Sequence, residues 1–208
     1  RNYSEEADTA SNSISSLQFL STGDFSIDHC EYNGDLEVLG FQNTVDIESS
    51  SIQNSNAGIS IYTDEVDFNM NESVISNQQF DGLRIWSETG SIDFNESSSI
   101  NNLYSGVNLN GNNNVVNVSG SNFSDNTLHG LELKGIDDSH FYHCMINSNG
   151  RSGLHIGTDC NVNVTNSSIA NNFYFGVFAI SRVNLNYVDL VYNNKTGLQL
   201  LGNNFHTL

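Results

Sequence analysis

The chain has 208 residues, of which only 14% are charged, with 24 Asp and Glu against 6 Lys and Arg, a net charge of −18. Phosphate polymers and anionic lipid are bound by clustered Lys and Arg, so this balance excludes a nucleic-acid or anionic-membrane surface. No apolar run approaches the ~20 residues needed to cross a bilayer. Acidity is concentrated in residues 1–104, which carry −16; residues 105–208 carry −2. No signal peptide is visible and the chain opens at Arg1, so a mature product or a segment of something longer is expected.

Residues 1–16 are acidic and serine-rich without clear periodicity, and we expect an irregular lead-in or a degenerate first coil. From Leu17 onward, through residues 17–208, short alternating pieces recur. Leu17-Gln18-Phe19 and Phe25-Ser26-Ile27 carry apolar residues at i and i+2, the period of a strand. Leu36-Glu37-Val38 opens the next coil, one residue out of step with the later coils. Then a phrase repeats: Gly58-Ile59-Ser60-Ile61, Gly82-Leu83-Arg84-Ile85, Gly106-Val107-Asn108-Leu109, Gly130-Leu131-Glu132-Leu133, Gly153-Leu154-His155-Ile156, Gly176-Val177-Phe178-Ala179 and Gly197-Leu198-Gln199-Leu200. The steps are 24, 24, 24, 23, 23 and 21 residues, a solenoid period.

Each glycine phrase leads into two further pieces. The second reads Val45-Asp46-Ile47, Val66-Asp67-Phe68, Ile92-Asp93-Phe94, Val116-Asn117-Val118, Val162-Asn163-Val164 and Val183-Asn184-Leu185. The third is anchored at Ile52, Ile75, Ile100, Phe123, Ile146, Ile169 and Leu190. Such short strands are spaced wrongly for hairpins. They can stack on their equivalents one repeat away, giving three short parallel sheets with neighbours ~4.8 Å apart. Glycines are expected to turn the corners. Asn54, Gln78, Asn102, Asn126, Asn149, Asn172 and Asn193 copy their steps, and Asn tolerates a left-handed corner and can form an amide ladder. Ser50, Ser73, Ser98, Ser121, Cys144 and Ser167 form a column of small inward residues.

This pattern, Gly-φ-x-φ, φ-x-φ, then Ser-x-Ile-x-x-Asn with φ apolar, resembles the right-handed parallel β-helix repeat of the pectate-lyase-like superfold. It implies an all-β solenoid of about seven to eight coils. That superfold hosts lyases, hydrolases, epimerases, adhesins and structural shafts, so the resemblance implies no single activity. It also implies that carbohydrate-active sites lie on the outer face of the first sheet. There one outward column reads Glu37, Ser60, Arg84, Asn108, Glu132, His155, Phe178, Gln199, and a second Tyr62, Trp86, Asn110, Lys134, Gly157, Ile180, Leu201. Tyr62 and Trp86 could stack on a sugar and Arg84 could steer a carboxylate; equally, exposed aromatics lock neighbouring rungs together.

Asp137-Asp138 with His155, near Glu132 and Lys134, faintly resembles the paired-Asp and His motifs of polygalacturonases. The Asn-Thr-Asp and Arg-Ile-Lys motifs of that family have no counterpart, and Ser139 replaces its cysteine. Asp137, Asp138 and His155 are therefore the catalytic candidates, set against an ordinary Asp-Asp turn. Asp46, Asp67 and Asp93 would form an acidic column on the second sheet, a solvated face or a calcium site. No other cofactor is implied.

Asn2, Asn71, Asn95, Asn117, Asn122, Asn163, Asn166 and Asn194 begin glycosylation sequons, a number that chance alone nearly supplies in so Asn- and Ser-rich a chain. Cys30, Cys144 and Cys160 have no metal-ligand spacing; Cys144 is expected to be buried and a bridge to Cys160 is not expected. The expected function is an extracellular or cell-surface structural or adhesive solenoid, more in keeping with a non-enzyme. Gly197-Leu198-Gln199-Leu200 is still repeat-like near the end, with no capping helix in view, which suggests coils of a longer shaft or copies stacked head to tail in a filament. The alternative is a polysaccharide-active enzyme or a carbohydrate-binding module.

Overall fold

The computed structural model describes residues 3, 4, 16–20 and 22–201. Its strands pair only in parallel, and no helix occurs among the described residues. Strands of the first face include Ser16–Leu20, Val107–Gly111, Leu131–Lys134, Leu154–Ile156, Phe175–Ala179 and Thr196–Leu200. Those of the second face include Gly23–Asp28, Asn114–Ser119, Asp138–Tyr142, Asn161–Thr165 and Arg182–Asn186. In three coils the two faces are continuous, as strands Asp35–Glu48, Ile59–Asn71 and Leu83–Asn95 of 14, 13 and 13 residues. The third face holds Glu31–Tyr32, Ser51–Gln53, Val74–Ser76 and Ser98–Ile100, continued by single bridges Ser98–Asn122–Met145–Ser168–Asp189. The result is a parallel β-solenoid of about eight turns. Of the sixteen-residue lead-in only a little is described: Tyr3–Ser4 pairs with Phe25–Ser26, and Ser16 begins a strand.

Alternation places one apolar side chain of every pair inside. Leu36, Ile59, Leu83, Val107, Leu131, Leu154 and Val177 form one buried column, and Phe68, Phe94 and Phe123 stack between coils at centroid distances of 5.5 and 5.7 Å. Leu36 sits directly opposite Ile59, so that coil is in step.

The corners differ from the expectation. Within the glycine phrase only Gly58 has a left-handed backbone. From Gly82 to Gly176 the glycines are needed because the coils approach closely there: a Cβ on Gly82 would lie 2.2 Å from Ser99 Oγ and 2.7 Å from the Gly106 carbonyl. Left-handed corners are made by Asn54, Asn77, Asn101, Asp125, Ser148, Asn171 and Tyr192, and by a second series, Ser49, Glu72, Glu96, Gly120, His143, Asn166 and Tyr187. Thus Asn54 is a corner, and Ser55 holds its place inside. The ladder runs from Asn193 through Asn172, Asn149, Asn126 and Asn102 to Gln78 and Ser55, by amide contacts of 2.9 to 3.1 Å along its asparagines. The serine column contains Ser97 instead of Ser98: Ser73 N–H donates to Ser97 Oγ at 3.2 Å, and Ser97 N–H to Ser121 Oγ at 3.1 Å. The third-face anchor opposite Ile75 is Ser99, and Ile100 is half-buried.

Candidate functional site

The outward columns of the first face stand as read from the sequence. Ser60 pairs with Arg84, Arg84 with Asn108, Asn108 with Glu132, Glu132 with His155 and His155 with Phe178. Tyr62 pairs with Trp86; they are 36% and 41% exposed, an open aromatic pair on extended backbone. Arg84 is less free than expected. Its Nε and Nη2 donate to Oδ2 of Asp81 at 3.1 and 2.7 Å. Asp81 is buried and also accepts from Ser105 N–H at 2.9 Å and Asn108 Nδ2 at 3.2 Å, which satisfies a carboxylate that would otherwise be costly to bury.

A second cluster lies farther along the same face. His129 precedes Gly130, Glu132 follows it, and His155 comes from the next coil opposite Glu132. The His129 and His155 rings are 4.6 Å apart between centroids, and His155 meets Phe178 at 5.0 Å. His155 Nδ1 lies 3.6 Å from Glu132 Oε1, beyond hydrogen-bond reach; it is shielded from water and has no hydrogen-bond partner among the described residues. Ser152 N–H donates to His129 Nδ1 at 3.3 Å. Burial pushes His129 down to about 4, with the charges of His155 and Arg151 acting in the same direction. Burial likewise lowers His155, opposed by Glu132 and assisted by Arg151. Both imidazoles are neutral at neutral pH.

The structure gives the catalytic candidates separate surroundings. Asp138 lies on a second-face strand, where its carboxylate contacts His140 Nε2 at 3.2 Å and Asn161 Nδ2 at 3.1 Å. Asp137 is exposed beside Asp159, Cys160, Asn161, Ser181 and Arg182. His155 belongs with Glu132 and His129 on the first face. Sequence reasoning missed His129 and Asp81, although both occupy the residue before a phrase glycine and the same period aligns them.

Asp46, Asp67 and Asp93 do not stack as a column. Asn69 stands between Asp46 and Asp93 in register, while Asp67 pairs with Thr44 and Ser91. Asn69 Nδ2 donates to Asp46 at 2.9 Å and Asn117 Nδ2 to Asp93 at 2.7 Å, so carboxylates alternate with amides that neutralise the repulsion expected between them. An open groove of about 490 Å³ crosses this face, floored by Asp93, Asn95, Asn117, His140 and Tyr142. Of the sequon asparagines, Asn95, Asn117, Asn166 and Asn194 are exposed and Asn71, Asn122 and Asn163 half-buried; Asn2 lies outside the described residues. All three cysteines are free thiols, and Cys144 is buried in the serine column.

Stacked coils of this kind define a parallel β-helix protein. The family model for the right handed beta helix region matches residues 36–207, and the chain belongs to that family. The fold is similar to the crystal structure of pectate lyase Pel9A, with a TM-score of 0.52 and 14% identity over 78% of this chain and 50% of that one. The chain thus spans half the length of that enzyme. A weaker likeness, TM-score 0.39 at 14% identity, joins 82% of this chain to 63% of the A-module of the Azotobacter vinelandii mannuronan C-5 epimerase AlgE6. No curated protein matches the chain by sequence.

Proposed function

We propose that this chain is a non-catalytic, extracellular or cell-surface adhesive solenoid that holds a neutral glycan on the outer face of its first sheet. The observation that carries this reading is the Tyr62–Trp86 pair. Adjacent rungs present two large, open aromatic side chains side by side, on a flat lattice where a pyranose face can lie against each. Arg84 stands on the neighbouring outward column, its charge balanced by Asp81, so it offers donors with little net charge. Exposed Asp64, Glu65 and Glu88 and half-buried Glu37 surround the pair with negative charge, which disfavours polyuronates and leaves neutral chains as the fitting class. The separate surroundings of Asp138 and His155 favour binding over cleavage.

Affinity electrophoresis in a panel of neutral and uronate polysaccharides tests this. Retardation by a neutral glycan is expected, weakened about tenfold by Trp86→Ala, the scale of 1.4 kcal/mol. Absence of retardation by every neutral glycan, or turnover of a polyuronate abolished by Asp138→Asn, overturns it.

A further inference from the structure

We propose that His129, Glu132 and His155 form a binding site for a divalent first-row transition metal ion of the zinc type. One donor atom from each residue lies within 4.8 Å of the others, and the pair in adjacent coils, His155 Nδ1 and Glu132 Oε1, is at 3.6 Å. Bonds of ~2.0–2.1 Å in a tetrahedron place ligand atoms about 3.3 Å apart. The near pair, at 3.6 Å, is within about 0.3 Å of that spacing. The remaining donor pairs lie within 4.8 Å, so ligation calls for closures of at most about 1.5 Å, and the half-exposed Glu132 side chain can supply its share of them.

The second observation is the orphaned nitrogen. His155 Nδ1 is cut off from solvent without a partner among the described residues, although its ring is clamped between His129 and Phe178. Buried polar atoms in native proteins almost always have a partner, and a metal ion between His155 and Glu132 supplies one. Two imidazoles and one carboxylate are a zinc-type set; calcium takes six to eight oxygens, which this cluster does not offer. Arg151 is the opposing charge, and the Glu132 carboxylate offsets it.

His129 adds a specific consequence. Its Nδ1 now accepts the Ser152 amide at 3.3 Å, a long contact. Ligation through Nε2 moves the ring proton to Nδ1, and ligation through Nδ1 displaces the amide directly. Either way, metal binding breaks this hydrogen bond, so the Ser152 amide reports on the site.

The test is titration of the chelator-stripped full chain with zinc chloride and, separately, calcium chloride, by calorimetry and by amide NMR. One zinc ion per chain is expected, with a shift of the Ser152 amide and no competition from calcium. Glu132→Gln, on a half-exposed side chain, and His155→Phe, which copies Phe178 one rung away, should each weaken binding at least about tenfold, the scale of even an outer-shell loss. A Cys30→Ser variant should bind unchanged. No zinc binding, equal binding by Glu132→Gln and His155→Phe, or binding lost with Cys30 overturns the proposal. Glycan retardation through Trp86 is read separately and is unaffected by any of these outcomes.

Discussion

Nδ2 of Asn126 lies 3.1 Å from Oδ1 of Asn149, and both side chains are 1% exposed. Asn126 Oδ1 in turn accepts from the Asn102 backbone N–H at 3.0 Å and from its side-chain Nδ2 at 2.9 Å, and Asn126 Nδ2 also reaches the Ser99 carbonyl at 3.1 Å. Every polar atom of this side chain is used. Asn126→Ala therefore takes this partner from the Asn102 N–H and the Ser99 carbonyl in a dry interior, whereas Asn102 Nδ2 keeps Ser99 Oγ at 3.2 Å and Asn149 Oδ1 keeps the residue-126 N–H at 3.1 Å. Each stranded group costs ~1–3 kcal/mol, and a total of roughly 3–5 kcal/mol is expected. Asn110→Ala, on an exposed side chain, should stay within about 0.5 kcal/mol. Urea midpoints at constant m-value decide between them.

The period made this ladder and the solenoid legible, because equivalent residues must recur at the coil length. Register inside a coil was less legible. Val66, Phe68 and Met70 are all inward, so Val66-Asp67-Phe68 and Phe68-Asn69-Met70 fit the alternation equally. A slip of two residues keeps every side chain on its face, and only pairing places Asn69, instead of Asp67, opposite Asp46. The serine run 97–99 misled in another way: Ile100 drew the third-face anchor to itself because an apolar residue is expected inside, whereas Ser99 is the inward residue and donates to the Gly106 carbonyl at 2.7 Å. The His129 cluster was only partly legible for a third reason. Glu132 and His155 share one outward column, but His129 stands three residues before Glu132 at another phase of the repeat, and columns of equivalent positions do not bring it to them.

Gly82 tests the reason for the glycine phrase. Its backbone is outside the left-handed region, so conformational strain is not what excludes a side chain. A Cβ would meet Ser99 Oγ at 2.2 Å, Asn102 Nδ2 at 2.7 Å and the Gly106 carbonyl at 2.7 Å. Gly82→Ala is expected to destabilise by about 1–3 kcal/mol or more through overpacking. Adding Ser99→Ala should restore only part, since the Gly106 carbonyl remains. Full rescue in thermal denaturation would show that the Ser99 contact alone demands glycine.

His129 links stability to pH. Its folded-state value of about 4 is below the ordinary 6.5 because burial opposes the charge, aided by His155 and Arg151, with Glu132 beside them. The unfolded chain thus takes up the proton first as pH falls. This contribution is complete above pH 6.5 and is lost as pH falls from 6.5 towards 4; the shift corresponds to roughly 3 kcal/mol. His155 acts in the same direction. With chelator present, wild type should lose more stability between pH 7 and 4.5 than His129→Asn, whose amide can still accept from Ser152. Parallel pH profiles for the two proteins would show that His129 is not held neutral.

Cys144 replaces a hydroxyl in the serine column and should be the least reactive thiol. Its thiol donates only weakly, with Sγ 3.4 Å from the Tyr142 carbonyl and 3.6 Å from that of Val118, and burial pushes the thiol up to about 11. The thiolate is the nucleophile, so its population at pH 8 is small as well as inaccessible. Burial also raises Cys160, while Cys30 is half-buried near one end of the described coils. Iodoacetamide under native conditions should therefore label Cys30 first, with Cys144 modified only as fast as the coils open. Cys144→Ser should fold and gain stability, because its hydroxyl can make the bond to the Tyr142 carbonyl that Ser121 makes to Ser119 at 2.9 Å. Labelling of Cys144 at the rate of Cys30, read by peptide mass spectrometry, would place that column in contact with solvent and count against a continuous dry interior.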